Sequence, residues 1–340
     1  MNDVILSIAI PTYNRAQWLK LCLTQLLPQV AAVGDDVDVT VYDNASSDNT
    51  SEVAQSFIEQ GYAFDYVRNT ENIGSDRNIA QCFNFAKGHY VLILGDDDVL
   101  LDGTLLWLLE RLSRQQYGVV CMRPYGYEND FRKEYPGGKG REQTFSDGSD
   151  FLAEIGPLVT FISACVINKR LLYKVDAREF CESKLVQMHL VIRAVLAAKQ
   201  SLFVRRYLLA CKRNNSGGYD FSRVFVEEFW HIVDQYSSLG LSGSSIYALE
   251  KRMLLGYYPF YLFRQRLAQT GDNESAYAML KARFGERWLF HLLLSPILRL
   301  PRPLGVAWGA GATILGRIAA GDFRRGVMFT RDRLVQMVRR

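Results

Sequence analysis

Five apolar residues, Tyr90-Val91-Leu92-Ile93-Leu94, run directly into Gly95-Asp96-Asp97-Asp98. Such a run reads as a fully buried strand, and it delivers three carboxylates to its C-terminal end, where an open parallel sheet presents its ligand crevice. Like charges this close raise one another's pKa unless something positive sits among them. Hard oxygen ligands at a sheet edge are what a divalent cation, Mg²⁺ or Mn²⁺, accepts, commonly shared with substrate phosphates. The plain alternative is that the acids cap the helix predicted to open near Thr104. One Asp would suffice for that, and three stand here.

Alternating elements must position these acids. A strand is predicted at Val4–Pro11, then a helix from Arg15 to Leu27 with Leu19, Leu23, Leu26 and Leu27 on one face. A second strand, Val37–Asp43, ends in Asn44-Ala45-Ser46-Ser47-Asp48-Asn49, which is turn and N-cap chemistry, ahead of a helix from Thr50 to Gln60. A strand at Phe64–Arg68 and a helix from Asp76 to Ala86 lead into the Tyr90–Leu94 strand. Strand and helix alternate, the signature of a doubly wound, mostly parallel sheet with its site at the strand ends.

Beyond a helix at Thr104–Arg114 the alternation becomes irregular: a strand at Gly118–Met122, a polar excursion at Tyr125–Ser149, a strand at Leu158–Ile167, a helix from Glu182 to Lys199 and a strand at Ser201–Ala210. After residue 218 every convincing period is helical, so the reading is an α/β domain over 1–218 and a helical region over 219–340. No G-x-G-x-x-G follows the first strand and no G-x-x-x-x-G-K-[ST] occurs, which removes the main support for dinucleotide and P-loop readings.

The 340-residue chain is 49% hydrophobic and 22% charged, a globular composition. Its six cysteines include no C-x-x-C pair, which suggests reduced thiols and offers no zinc site. The start lacks the basic and long apolar segments of a signal peptide, so secretion is not expected. The net charge of +4 hides an asymmetry. From Arg283 onward Arg287, Arg299, Arg302, Arg317, Arg324, Arg325, Arg331, Arg333, Arg339 and Arg340 follow, against only Glu286, Asp322 and Asp332. The apolar stretches between them, broken by Pro296, Pro301 and Pro303, fall short of the ~18 to 20 residues that span a bilayer. Basic, amphipathic and too short to span describes a helix at the cytoplasmic membrane surface, with a solvated arginine face as the alternative. No nucleic-acid-binding motif accompanies the charge, so nucleic acid is not expected as a partner.

Four segments in order now carry a resemblance: Pro11-Thr12-Tyr13-Asn14-Arg15, Asp43-Asn44-Ala45-Ser46-Ser47-Asp48, Asn72-Ile73-Gly74-Ser75-Asp76-Arg77-Asn78 and Gly95-Asp96-Asp97-Asp98. Over its first 115 or so residues the chain resembles glycosyltransferase family 2, nucleotide-sugar enzymes of the Rossmann-like GT-A fold. The resemblance implies that Pro11, Thr12, Tyr13 and Arg15 lie at the nucleotide, that Asp43 accepts a hydrogen bond from the base, and that Asp76 and Arg77 help hold the nucleotide. Asp96, Asp97 and Asp98 would form the D-x-D element that carries the metal. In many relatives the pattern is D-x-D-D, with Gly95 here at the first Asp position, which leaves open which acid touches the cation. The cation would neutralise charge on the departing nucleoside diphosphate. In Lys212-Arg213-Asn214-Asn215-Ser216-Gly217-Gly218, Lys212 and Arg213 suit the diphosphate and the glycines allow close backbone approach; a solvated linker is the alternative.

One departure is sharper. Inverting relatives usually carry Glu-Asp, an apolar residue and an Arg, the Asp being the base that deprotonates the acceptor hydroxyl. The counterpart here is Val186-Gln187-Met188-His189-Leu190-Val191-Ile192-Arg193, with Gln187 at the base position. An amide cannot take that proton at neutral pH. His189 or Glu182 would supply the base, or His189 a metal ligand, or the reaction retains anomeric configuration and needs no such Asp. With Tyr219-Asp220-Phe221-Ser222-Arg223-Val224-Phe225, the chain is similar to abequosyltransferases and related dideoxyhexosyl transferases of bacterial O-antigen assembly. That similarity implies a CDP-linked 3,6-dideoxyhexose donor, a lipid-linked oligosaccharide acceptor and retention, with the helical region on the acceptor side. A sugar-nucleotide nucleotidyltransferase is the rival enzyme, although Pro11-Thr12-Tyr13-Asn14 is not its Gly-rich basic loop. A catalytically inactive GT-A scaffold is the rival from another class.

Overall fold

The computed structural model describes residues 4–138, 140–213 and 220–319. The chain forms two compact units, Met1–Gly218 and Tyr219–Arg340. The first opens with β1 (Leu6–Thr12), α1 (Ala16–Val33), β2 (Val37–Asp43), α2 (Thr50–Glu59), β3 (Asp65–Arg68), α3 (Ser75–Phe85) and β4 (Tyr90–Ile93). β1 pairs in parallel with both β2 and β4, and β2 with β3, giving the order β3-β2-β1-β4. The sheet therefore grows outward one way and then restarts on the far side of β1. That reversal leaves a crevice beyond the C-terminal ends of β1 and β4.

Apolar patterning explains this half. Leu6, Ile8 and Ile10 of β1 pack in one cluster with Leu19, Leu23, Leu26 and Leu27 of α1, and all four residues of β4 are buried, as a central strand covered on both faces requires. α1 continues past Leu27 to Val33 because Pro28 lies on its exposed side, while Val30 still buries; the helix stops at Gly34, whose φ of 66° suits glycine.

The second half departs from the parallel pattern expected. It contains β5 (Asp98–Leu100), α4 (Thr104–Arg114), β6 (Val119–Tyr127), β7 (Glu142–Phe145), α5 (Gly148–Ile155), β8 (Cys165–Asn168), α6 (Val186–Ala197) and β9 (Ser201–Lys212). β8 inserts antiparallel between β4 and β6, β6 runs parallel to β9, and β5 and β7 pair antiparallel with β9. The sheet is thus parallel at one end and mixed at the other. The strand expected at Leu158–Ile167 is mostly tight 3-10 turns, Gly156–Thr160 and Ile162–Ala164, around Pro157, before β8 begins. The helix expected from Glu182 starts at Val186, because Glu182 and Lys184 adopt φ of 80° and 57°, which no right-handed helix contains. The polar excursion is shorter than expected: Tyr125 and Tyr127 extend β6 into the core, and Glu142–Phe145 is β7.

The second unit, as described, is helical: α7 (Phe229–Ser237), α8 (Gly243–Arg252), α9 (Tyr258–Ala268), α10 (Asn273–Phe284), α11 (Ser295–Arg299) and α12 (Arg302–Ala319), with wide π-helical turns at Arg223–Glu228, Met253–Tyr257 and Phe290–Leu294. Trp230 Nε1 donates to the Tyr258 hydroxyl at 2.8 Å, and buried Glu250 receives Arg283 and Arg287 at 3.2 and 2.7 Å. Asp272 caps α10 by accepting from Glu274 N and Ser275 N. Among the described residues no helix is long and apolar enough to cross a membrane. The terminal arginines Arg324, Arg325, Arg331, Arg333, Arg339 and Arg340 lie outside the described residues.

Candidate active site

Three loops converge at the C-terminal ends of β1, β2 and β4, and polar side chains tie them together. After β1, Asn14 takes φ of 53°; its N–H donates to Ser46 Oγ at 2.8 Å and its Oδ1 accepts from Ser47 N at 2.7 Å. Asp48 accepts from Ala16 N, where α1 opens, and from Thr50 N, where α2 opens. Asn44 Oδ1 accepts from Ile73 N at 3.0 Å and its amide donates to Asn72 at 2.8 Å, fastening the segment before α3. Pro11 lies in register with Tyr42, and Tyr13 is 42% exposed at the rim.

Asp43, fully buried at the end of β2, is saturated. One carboxylate oxygen accepts from Ser46 N at 2.9 Å, the other from the Tyr66 hydroxyl at 2.6 Å, and Arg68 Nε stands 3.6 Å away. Burial first, then the bond to Asp43, pushes the Tyr66 phenol well up. In this arrangement Asp43 holds the loop that follows it.

The acids after β4 are arranged differently. Asp98 N closes a turn on Gly95 O at 3.0 Å, and Asp98 is the first residue of β5. Helix capping is not their role: the N-cap of α4 is Gly103. Asp96 is buried, accepts from Thr12 Oγ1 at 2.7 Å and pairs with Arg15 Nη1 at 3.2 Å, while Arg15 Nη2 reaches Asp97 at 3.2 Å. Asp98, also buried, accepts from Ser163 Oγ, which in turn accepts from Gly95 N at 2.8 Å. Burial pushes the Asp96 carboxyl up to about 7 against the pull of Arg15, and Asp97 pushes with it. Asp98 is also raised well above the usual carboxylate range, by burial and then by Asp97.

Glycine at 95 is what lets these oxygens converge. A Cβ there would lie 2.9 Å from Asp98 Oδ2, 3.3 Å from Asp97 Oδ1 and 3.3 Å from Ser163 Oγ. Two carboxylates and a hydroxyl around one cradle, with positive charge in deficit, fit a hard divalent cation that completes its shell with substrate oxygens. Among the described residues there is no cage of three or more His, Cys, Asp or Glu side chains, and Asp96 is turned toward Thr12 and Arg15.

Other expected residues fall into two groups. Asp76 Oδ2 accepts from Glu182 N at 2.7 Å and Lys184 N at 2.9 Å, so it pins the turn ahead of α6; Arg77 and Glu182 are exposed. Gln187 is buried, donates to Thr160 O at 2.6 Å, and leaves Oε1 without a hydrogen bond. Buried His189 stacks on Phe180 with ring centroids 4.5 Å apart. β9 brings Lys212 alongside the acids, since Asp98 pairs with Cys211; Lys212 Nζ donates to Glu128 O and lies 5.1 Å over Trp18 and 5.2 Å over Tyr127. Arg213 N donates to Tyr127 O at 2.9 Å, and Asn214, Asn215, Ser216, Gly217 and Gly218 lie outside the described residues.

Three residues escape a reading of motifs. Ser163 is one, a hydroxyl inside the apolar stretch Phe161-Ile162-Ser163-Ala164-Cys165, and that isolated polarity is the signal that points to it. Tyr66, which secures Asp43, carries no such signal. Tyr127 is buried with its hydroxyl unpartnered, and burial first, then Asp98 and Asp97, raise its phenol.

Comparison with known proteins accords with this geometry. The family model described as glycosyl transferase family 2 matches residues 7–174. Abequosyltransferase RfbV of Salmonella typhimurium is 34% identical over 122 residues, 35% of this chain and 36% of that protein. A GalNAc(5)-diNAcBac-PP-undecaprenol beta-1,3-glucosyltransferase of Campylobacter jejuni is 30% identical over 139 residues, 41% of this chain and 44% of the relative. The chain thus spans less than half the length of these two curated relatives. Among solved structures, S. aureus TarS 1–349 superposes with a TM-score of 0.60 at 14% identity, covering 94% of this chain and 92% of that one, which shows a shared GT-A fold. Over residues 7–174 the N-terminal unit is thus similar to glycosyl transferase family 2, and it shares the fold of TarS.

Proposed function

We propose that the chain transfers a single sugar from a nucleotide-sugar donor to a lipid-linked oligosaccharide on the cytoplasmic face of a membrane, in lipopolysaccharide O-antigen assembly. The observation that carries the reading is the convergence of Asp97, Asp98 and Ser163 over Gly95 at the strand-order reversal. In this reading Asp97 and Asp98 hold Mg²⁺ or Mn²⁺. The cation supplies charge neutralisation on the diphosphate. Arg15 orients Asp96 and Asp97, Thr12 fixes Asp96, and Tyr13 offers an exposed ring to the base or ribose. Lys212 and Arg213 present positive charge to the departing diphosphate. Asp43 and Asp76 act on the nucleotide through the loops they hold.

The likeness to the Salmonella abequosyltransferase supports a CDP-linked 3,6-dideoxyhexose as donor. Gln187 supports retention of configuration, since an amide at the position of the usual base cannot take a proton. Retention leaves neither His189 nor Glu182 with a proton to take from the acceptor. The test is calorimetry of UDP-, GDP-, CDP- and dTDP-sugars with and without Mn²⁺, followed by anomeric analysis of the product. Metal-dependent binding of a CDP-sugar and a retained anomer are expected; metal-independent binding, or an inverted product, sinks the corresponding claim.

A further inference from the structure

The helical unit holds a cavity of about 610 Å³ lined by Arg266, Arg299 and Arg302. None of the three makes an ion pair among the described residues, although Asp272 and Glu274 also line the cavity. Asp272 is committed to the N-terminal N–H groups of α10, so that helix end adds its own positive potential. The arginines are held by neutral groups instead. Arg266 Nη2 donates to Leu300 O at 2.6 Å and its buried Nε has no partner; Arg302 donates to Leu267 O at 3.1 Å; Arg299 lies 4.9 Å over the Tyr277 ring. Three oriented cations that make no ion pair form an anion site, even with Asp272 and Glu274 in the same lining.

The wall of that cavity runs straight into an apolar surface. α12 begins at Arg302, and its exposed side carries Leu304, Trp308, Leu315 and Ile318. Spacings of 4, 11 and 14 residues keep these on one face of a helix. Trp308 Nε1 donates to Leu292 O at 2.9 Å, which joins the strip to exposed Leu292 and to Trp288, 67% exposed. Apolar residues with tryptophans beside unpaired arginines match the boundary between acyl chains and phosphates.

We propose that this surface docks on an anionic phospholipid bilayer, the α12 strip entering the acyl boundary while Arg266, Arg299 and Arg302 seat a lipid phosphate. The inference deepens the reading in which the acceptor is lipid-borne. Charge complementarity selects the occupant: a second copy of the chain would bring arginine against arginine.

The test is co-sedimentation of the full chain with phosphatidylglycerol-containing and with pure phosphatidylcholine vesicles, with Trp emission recorded. Phosphatidylglycerol vesicles should bind at least about tenfold more tightly and shift the emission to the blue, and Arg299→Gln/Arg302→Gln should weaken that binding about tenfold with an unchanged melting curve. Leu304→Ser and Trp308→Ser should weaken binding to both vesicle types; two variants are needed because Trp308 also bonds Leu292. Equal binding to both vesicle types, indifference to the arginine variant, complete displacement by inorganic phosphate, or self-association in place of vesicle binding would each overturn the proposal. Donor binding by calorimetry is the separate arm. Its loss with vesicle binding intact refutes the transferase reading alone, and the reverse refutes only the docking surface.

Discussion

β2 and β4 flank β1 in one sheet, and aspartate stands at the end of the first and just beyond the end of the second, yet the two ends are opposites. At the end of β2, Asp43 meets Ser46, Tyr66 and Arg68, and its charge is answered within the protein. At the end of β4, three carboxylates share Arg15, Thr12 and Ser163, and burial holds Asp96 and Asp98 above the normal carboxylate range. A carboxylate that folding has satisfied builds the loop; one that folding has left short of positive charge awaits a ligand. Burial alone does not separate them, since Asp43, Asp96 and Asp98 are all nearly inaccessible.

The contrast is sharpest under substitution. Asp98→Asn together with Asp97→Asn should reduce sugar transfer by on the order of 10²–10³-fold and abolish metal-dependent nucleotide binding, while melting stays level or rises as uncompensated charge is removed. Asp43→Asn should do the reverse, costing about 2–3 kcal/mol in urea unfolding because the amide keeps one acceptor oxygen for two donors, Ser46 and Tyr66, and leaves Arg68 without its carboxylate. If both variants lose stability equally, the distinction fails. Ser163→Ala removes one partner of Asp98 and should cost about 1–2 kcal/mol with a smaller loss of turnover.

A pH series separates the ends without mutation. Asp96, at about 7 when folded, keeps a proton that the unfolded chain has lost above its ordinary value of ~4. The folded state therefore binds more protons in that window, and stability falls as pH rises from about 4 toward 7. Melting of the chelated protein should drop between pH 5 and 7, and Mn²⁺ with a nucleoside diphosphate should flatten the drop. A profile that rises there excludes Asp96 as a strained acid. The smallest effect is expected at the other end of the chemistry: His189→Ala should lose about 1 kcal/mol of stacking on Phe180 and leave turnover within about twofold.

The parallel half of the sheet and the acidic turn were legible in the sequence because their signals are local. Apolar runs of strand length, N-cap clusters and consecutive aspartates each speak within ten residues. What could not be read depends on partners distant in the chain. Ser163 reaches Asp98 across 65 residues, Asp76 pins Glu182 across 106, and β8 runs antiparallel because of its neighbours β4 and β6. The same limit explains why the acids could be listed but not divided: which one faces Arg15 and which faces Ser163 is decided by β1 and by the turn before β8.

The empty side chain at position 95 also constrains how such a sequence can change. Many sequences of this type place an aspartate there, but in this chain any Cβ would displace Asp98 Oδ2 and crowd Ser163. An aspartate at 95 should therefore push the Asp98 carboxylate out of its present position. The missing side chain at 95 and the hydroxyl at 163 therefore act on the same carboxylate from two sides, one leaving room for Asp98 and the other holding it there.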